Sequence, residues 1–254
     1  MNYSDEQIEE LIAGIYSGII DEYNLPKSLY LAISEYLEKA VVKGVKEVAI
    51  EFGGKPLELI AELRENIYMF SAAKTFQQVR GMTDLLLNDE GIKGFSAFKK
   101  DALQLYEQYN VNWLQTEYNT AIGQAQSAER WRQIEDTADV LPMLTYSAVL
   151  DANTSDICKP LDGITLPVGD KFWNTHSPLN HFNCRCLLMQ TSRSKETPKS
   201  IVNKAAEEID PKMQPMFKMN PGKEKVVFNE KHPYFEIAPK DKAYARRNFD
   251  LPLP

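Results

Sequence analysis

The sequence predicts an α+β protein whose helices and strands are segregated along the chain. Three observations carry that prediction. Apolar residues recur at three- and four-residue steps from the start to about Arg132. After Asp139 the period shortens into brief β-rich runs. From Pro211 onward lie 7 of the chain's 14 prolines, with no sustained periodicity. The expected layout is a mostly helical N-terminal region over residues 1–132, ending in a long helix. A small β module containing cysteine and histidine follows over 133–192, and then a short helix and an extended, proline-rich C-terminal arm over 193–254.

Ile8, Leu11, Ile12, Ile15 and Ile19 fall on one face of a first helix, with Ser4 placed to cap it. Asn24, Leu25 and Pro26 are the expected break. A second helix from Lys27 carries Leu29, Ile33, Leu37, Val41, Val45 and Val48 as its buried stripe, up to Gly53-Gly54. Pro56 suits the first turn of a third helix through Leu59, Leu63, Ile67 and Phe70 towards Leu87. After a loop containing Gly91 and Gly94, an aromatic helical segment from Phe95 to about Trp131 is long enough to act as a spine. Strands are expected over Leu141–Leu150, Ile164–Val168 and Cys184–Gln190, with a tight turn at Leu161-Asp162-Gly163. Leu187 and Met189 should face away from the cysteines, because strand side chains alternate. In the arm, Met213, Met216, Phe217, Met219, Phe228, Tyr234 and Phe235 are too apolar for a solvated tail, so the arm should lie on its own chain or on a neighbour.

Composition excludes several classes. The net charge of −7 argues against a nucleic-acid coat, though residues 1–65 hold 6 Lys/Arg against 13 Asp/Glu and residues 211–254 hold 9 against 5. No apolar run is long enough to span a membrane, and the acidic start MNYSDEQIEE lacks a signal peptide's basic flank, so synthesis in the cytosol is expected. Nucleotide-binding glycine loops, a Gly-x-Ser-x-Gly elbow and His-Glu-x-x-His are all missing. Aromatics beside basic residues in the tail, such as Tyr244 with Arg246 and Arg247, could touch single strands or packaged DNA.

All three cysteines, Cys158, Cys184 and Cys186, and two of the three histidines, His176 and His181, fall between Asp151 and Gln190. Thiolate and imidazole suit zinc, and Cys158, His181, Cys184 and Cys186 would make a closed, structural tetrahedral set. Two other readings stay open: reduced thiols packed as small hydrophobes, and a disulfide from Cys158 to Cys184 or Cys186. A Cys–His nucleophile lacks an orienting third group. A hydrolytic metal held by Asp156, Asp162, Asp170 and His176 would make the chain a metal-dependent hydrolase (nuclease) acting on nucleic acid, which is the alternative function. A host zinc-binding adaptor is a third possibility.

The run Asp151-x-x-Thr154-x-x-x-Cys158-x-x-Leu161-Asp162-Gly163, followed by Ser177-Pro178 and His181-x-Asn183-Cys184-Arg185-Cys186, resembles the Mu F-like minor head proteins of tailed bacteriophages. The similarity runs over roughly residues 105–192. It includes Thr116-Glu117-x-x-x-Ala121, where Gln115 replaces a common arginine, so no ion pair to Glu117 carries over from the family. Ser155 stands at a family cysteine and Phe182 at a family proline. The resemblance implies a non-enzymatic minor head (capsid) protein of a phage or prophage, residing in the virion head. Its implied partners are the portal protein, capsid or scaffold proteins, and packaged DNA.

Overall fold

The computed structural model describes residues 1–52, 57–89, 91–192 and 195–254. The expected Gly53-Gly54 stop and the Pro56 start lie outside the described residues. Helix α1 covers Asp5–Tyr16, α2 Lys27–Phe52, α3 Leu57–Asp84, α4 Phe95–Glu107, α5 Leu114–Asp136 and α6 Lys199–Ile209. A two-residue hairpin, β1 (Leu87–Asn88) with β2 (Gly91–Ile92), joins α3 to α4. A three-stranded antiparallel sheet has the order β4 (Thr165–Pro167), β3 (Met143–Ser147), β5 (Leu187–Thr191). The α+β class therefore holds. By contact density the chain forms two units: residues 1–40, 64–118 and 232–254 make one, and 41–63 with 119–231 the other.

In the first unit, Ser4 closes a reciprocal capping box with Gln7, as its spacing suggested. Leu11, Ile12 and Ile15 are buried, but α1 ends well before Pro26, and Ile19 is 68% exposed. Gly18 adopts φ +74° just past the last turn, which lets the amides of Ile19 and Ile20 return to the Gly14 carbonyl. The local glycine signal stops the helix before the proline can. Helix α3 is enclosed on every face over residues 70–76. Its hydroxyls make this tolerable, because Ser71 donates to the Ile67 carbonyl and Thr75 to that of Ser71, each at 2.8 Å. Helices α4 and α5 are continuous through a six-residue π-helical segment, Gln108–Trp113.

In the second unit, Val41, Val45 and Val48 of α2 are buried as the stripe predicted. A Cβ at Gly44 would stand 2.4 Å from the Ile122 carbonyl oxygen of α5, so the two backbones meet where only glycine fits. The sheet buries Leu144, Tyr146 and Leu166 in one core with Trp131 and Ile134 of α5 and Val202, Ala205 and Ile209 of α6. Met189 and Leu187 point outward, 58% and 44% exposed. Asp162 is a turn residue: its carboxylate accepts the Ala148 amide at 2.9 Å, and Gly163 follows at φ +77°.

The C-terminal arm is a string of single turns, several opened by proline at its favoured first position: Pro215, Pro221, Pro233 and Pro239. It lies on its own chain. Met213, Met216, Phe217, Met219, Phe228 and Tyr234 are all buried. Gly222 sits against α5 so closely that a Cβ there would come within 2.3 Å of Trp131. Tyr244 is buried and packs edge-on to Phe249, while Arg247 binds Asp250 at 2.8 Å. That tyrosine is thus not available to stack on DNA, which corrects the expectation from its neighbourhood.

Candidate metal centre

Cys158 enters the site at the start of a short 3-10 turn, Lys159–Leu161, where its amide is held by the Ser155 hydroxyl at 3.1 Å. The serine that replaces a family cysteine thus fixes the backbone of the cysteine that remains. The second half of the site is a turn and not the start of a strand. β5 begins only at Leu187, and Cys184 is drawn back by a bond from its amide to the His181 carbonyl, with Asn183 at φ +58°. Asparagine tolerates that left-handed conformation, so the Asn-Cys sequence folds here as a hairpin-like claw. Cys186 retains the alternation expected of it and is buried beside the core.

His181 Nε2 lies 3.1 Å from Cys158 Sγ, and Cys158 Sγ lies 3.6 Å from Cys184 Sγ. The other ring nitrogen, Nδ1, donates to the Phe182 carbonyl at 2.7 Å. That bond leaves the Nε2 lone pair facing the thiols, the tautomer a metal ligand needs. Phe182 in turn meets Phe217 edge to face at 4.9 Å, anchoring the loop where the family has a proline. Arg185 grips Asp151 through both guanidinium nitrogens at 2.8 Å and ties the two halves of the motif together.

Cys158, His181 and Cys184 have ligand atoms all within 4.8 Å of one another, a group that could hold a metal ion. A tetrahedral zinc with Zn–S of about 2.3 Å separates two sulfurs by about 3.8 Å, so the observed spacing fits a soft ion of that kind. Cys186 falls outside this mutually close trio, though its thiol still perturbs those of Cys158 and Cys184. Hydrogen bonds from Cys184, then Cys186 and His181, hold the Cys158 thiol far below the usual thiol range. The same sharing raises Cys184. The bond to Cys158 raises His181 against the opposing effect of burial.

His176 is elsewhere, stacked flat on Phe172 at 4.3 Å with Nδ1 at 2.9 Å from the Thr175 hydroxyl. Asp170 caps the turn at Phe172, and Asp162 holds its own turn. Among the described residues, Asp156, Asp162, Asp170 and His176 do not assemble into a metal-holding group.

Residues 42–189, more than half of the chain, match the family described as phage Mu protein F like protein. The chain belongs to that family. It is 38% identical over 85 residues to the putative capsid assembly protein F of Escherichia phage Mu. That stretch is 33% of this chain but only 19% of the relative, so the similarity reaches a small part of the longer protein. No solved structure matches significantly. Every residue of the Cys/His cluster lies inside the matched span, whereas the whole of the proline-led arm lies beyond it.

Two parts of this Mu F-like chain gave no sign in the sequence. The phenol of Tyr146, pointing inward from β3, touches Cys158 Sγ at 3.4 Å and Asn180 Oδ1 at 3.2 Å. Burial, and then the neighbouring thiols, raise it well above the usual phenol range, so it stays protonated. The other part is in the first unit, where Glu117 is paired not with a helix neighbour but with Lys74 of α3. Lysine inside a helix ordinarily signals a surface, and nothing local announces a partner 43 residues away.

Proposed function

We propose that this chain is a minor head protein of a tailed phage or prophage, acting in head assembly and carried in the virion head. The observation that supports this is the family match together with the aligned stretch of a protein named for capsid assembly. In this reading the helical region, residues 1–132, supplies contacts to the portal or the inner capsid. Capsid or scaffold proteins and packaged DNA are further partners, and the chain has no catalytic role. Cys158, His181 and Cys184, completed by Cys186, hold a structural zinc that clips a small sheet to its surrounding turns. Such a sheet has little core of its own, which is the physical reason a clip is useful.

Co-expression with the portal protein of the same phage or prophage, followed by sedimentation and electron microscopy, tests the assembly reading. Co-migration with portal rings that weakens when the helical region is trimmed is the expected result. A protein that ignores both portal and capsid would overturn it. Zinc content of untagged protein should approach one ion per chain, and a chelator should lower the melting temperature. A substoichiometric content with unchanged melting removes the clip.

A further inference from the structure

Tyr146 and Asn180 are both wholly buried, and neither belongs to the trio of ligand atoms. The phenol oxygen lies between two groups that accept hydrogen bonds: Cys158 Sγ at 3.4 Å and the Asn180 side chain at 3.2 Å. On its far side Asn180 Nδ2 donates to Met213 Sδ at 3.4 Å, just past α6, which turns the amide oxygen towards the phenol. A phenol carries one proton, so it cannot donate in both directions. As a metal ligand Cys158 is a thiolate, which accepts only. A lone pair turned towards it would be repelled, whereas an O–H would be attracted. The proton therefore belongs on the cysteine side. The Asn180 carbonyl, a neutral acceptor, competes for that proton less strongly than the charged sulfur does.

We infer that Tyr146 donates its O–H to the Cys158 sulfur, in a relay backed by Asn180 and Met213, and so positions and stabilises the metal-bound thiolate. Tyr146 is a positioning residue and not a ligand. The relay rests on the reading of the cluster as a metal centre. It ties that centre to β3 through Tyr146, and to the segment after α6 through the contact of Asn180 with Met213. A phenol in this place lowers the energy of the sulfur lone pairs, and partners of this kind change metal affinity by about 10- to 100-fold when removed.

The test uses the untagged full chain, stripped of metal and reloaded with zinc or cobalt(II). Zinc affinity is measured by competition with a chelating indicator, and the sulfur-to-cobalt charge-transfer band is recorded in the near ultraviolet. Tyr146→Phe should weaken zinc binding by about 10- to 100-fold and move the band to longer wavelength, because an undonated thiolate gives up charge more easily. Asn180→Ala leaves the ring and its hydroxyl in place and removes the competing acceptor, so zinc binding should not weaken and the band should not move to longer wavelength. A merely structural loss would lower the melting temperature of the metal-free protein without moving the band. Unchanged affinity and band in Tyr146→Phe overturn the relay while leaving the metal centre intact. Weaker binding and a longer-wavelength band in Asn180→Ala, matching Tyr146→Phe, would show that Asn180 holds the phenol and does not compete with the sulfur, and would overturn that part of the relay. Wild-type protein that binds neither zinc nor cobalt overturns the metal reading, and the relay with it.

Discussion

Lys74 is wholly buried, and its ammonium lies 2.8 Å from both carboxylate oxygens of Glu117 and 2.8 Å from the Tyr109 carbonyl. The Tyr234 hydroxyl donates to Glu117 at 2.9 Å, and the ammonium sits over the Tyr109 and Tyr234 rings. Burial pulls Lys74 below its usual range and pushes Glu117 above its own, while each partner opposes the other's shift. Lys74→Met should therefore cost about 3–5 kcal/mol in urea unfolding, since it strands a buried carboxylate, and a second change Glu117→Leu should recover most of it. A loss under about 1 kcal/mol would mean that no buried ion pair is being broken. His232, edge-on to Phe70 and buried, is held at about 4 by desolvation and then by Lys74. Its folded pKa is below the unfolded value, so the unfolded chain binds the proton first. Stability is then full above about pH 6.5 and falls as pH drops towards 4, by about 3 kcal/mol in all. His232→Asn retains an acceptor for the Tyr234 amide and should flatten that part of the pH profile. His176, also depressed by burial, adds a pH dependence of the same sign.

At the scale of elements, what the sequence displays depends on whether an element has an outside. Helix α2 has one, so Leu29 to Val48 stand out at helical spacing, and the strands around Leu144 and Leu166 show their alternation for the same reason. Helix α3 over Phe70–Phe76 has none. Ser71 and Thr75 satisfy themselves on the preceding turn and Lys74 finds Glu117, so a buried stretch reads as a mixed one. The proline-led turns after α6 are too short for any period to develop, although their aromatic and methionine content signalled burial. In the Cys/His cluster, the identity and spacing of Cys158, His181 and Cys184 were legible because few residue types suit a metal ion. Tyr146 and Asn180 were not, since their role comes from a contact spanning 34 residues. The strand assigned from Cys184 starts late because a left-handed residue, Asn183, intervenes, and no hydrophobic pattern records that.

At the scale of the whole chain, the last 23 residues, 232–254, belong with α1 and with the first unit's parts of α2 and α3. Phe249 stacks on Phe76 at 4.8 Å, and Tyr234 packs on Phe70 at 5.4 Å. The Tyr30 hydroxyl donates to the Pro252 carbonyl, and that of Tyr23 to Asp241 at 2.8 Å. An arm waiting for a neighbouring subunit would leave these surfaces free and could be removed without harm. Here its removal uncovers two phenylalanines and withdraws the Tyr234 donor from the buried Lys74–Glu117 pair. Ending the chain after Lys231 should therefore abolish a sharp thermal transition and give a form that binds a hydrophobic dye. Ending it after Pro252 removes only exposed Leu253 and Pro254, and should leave melting unchanged. If both truncations melt alike and sharply, residues 232–254 do not contribute to the core, and their packing has to be sought in an assembled head. If only the longer one collapses, the segment is part of the subunit before any partner arrives, and contacts for assembly must come from surfaces that remain exposed once it is in place.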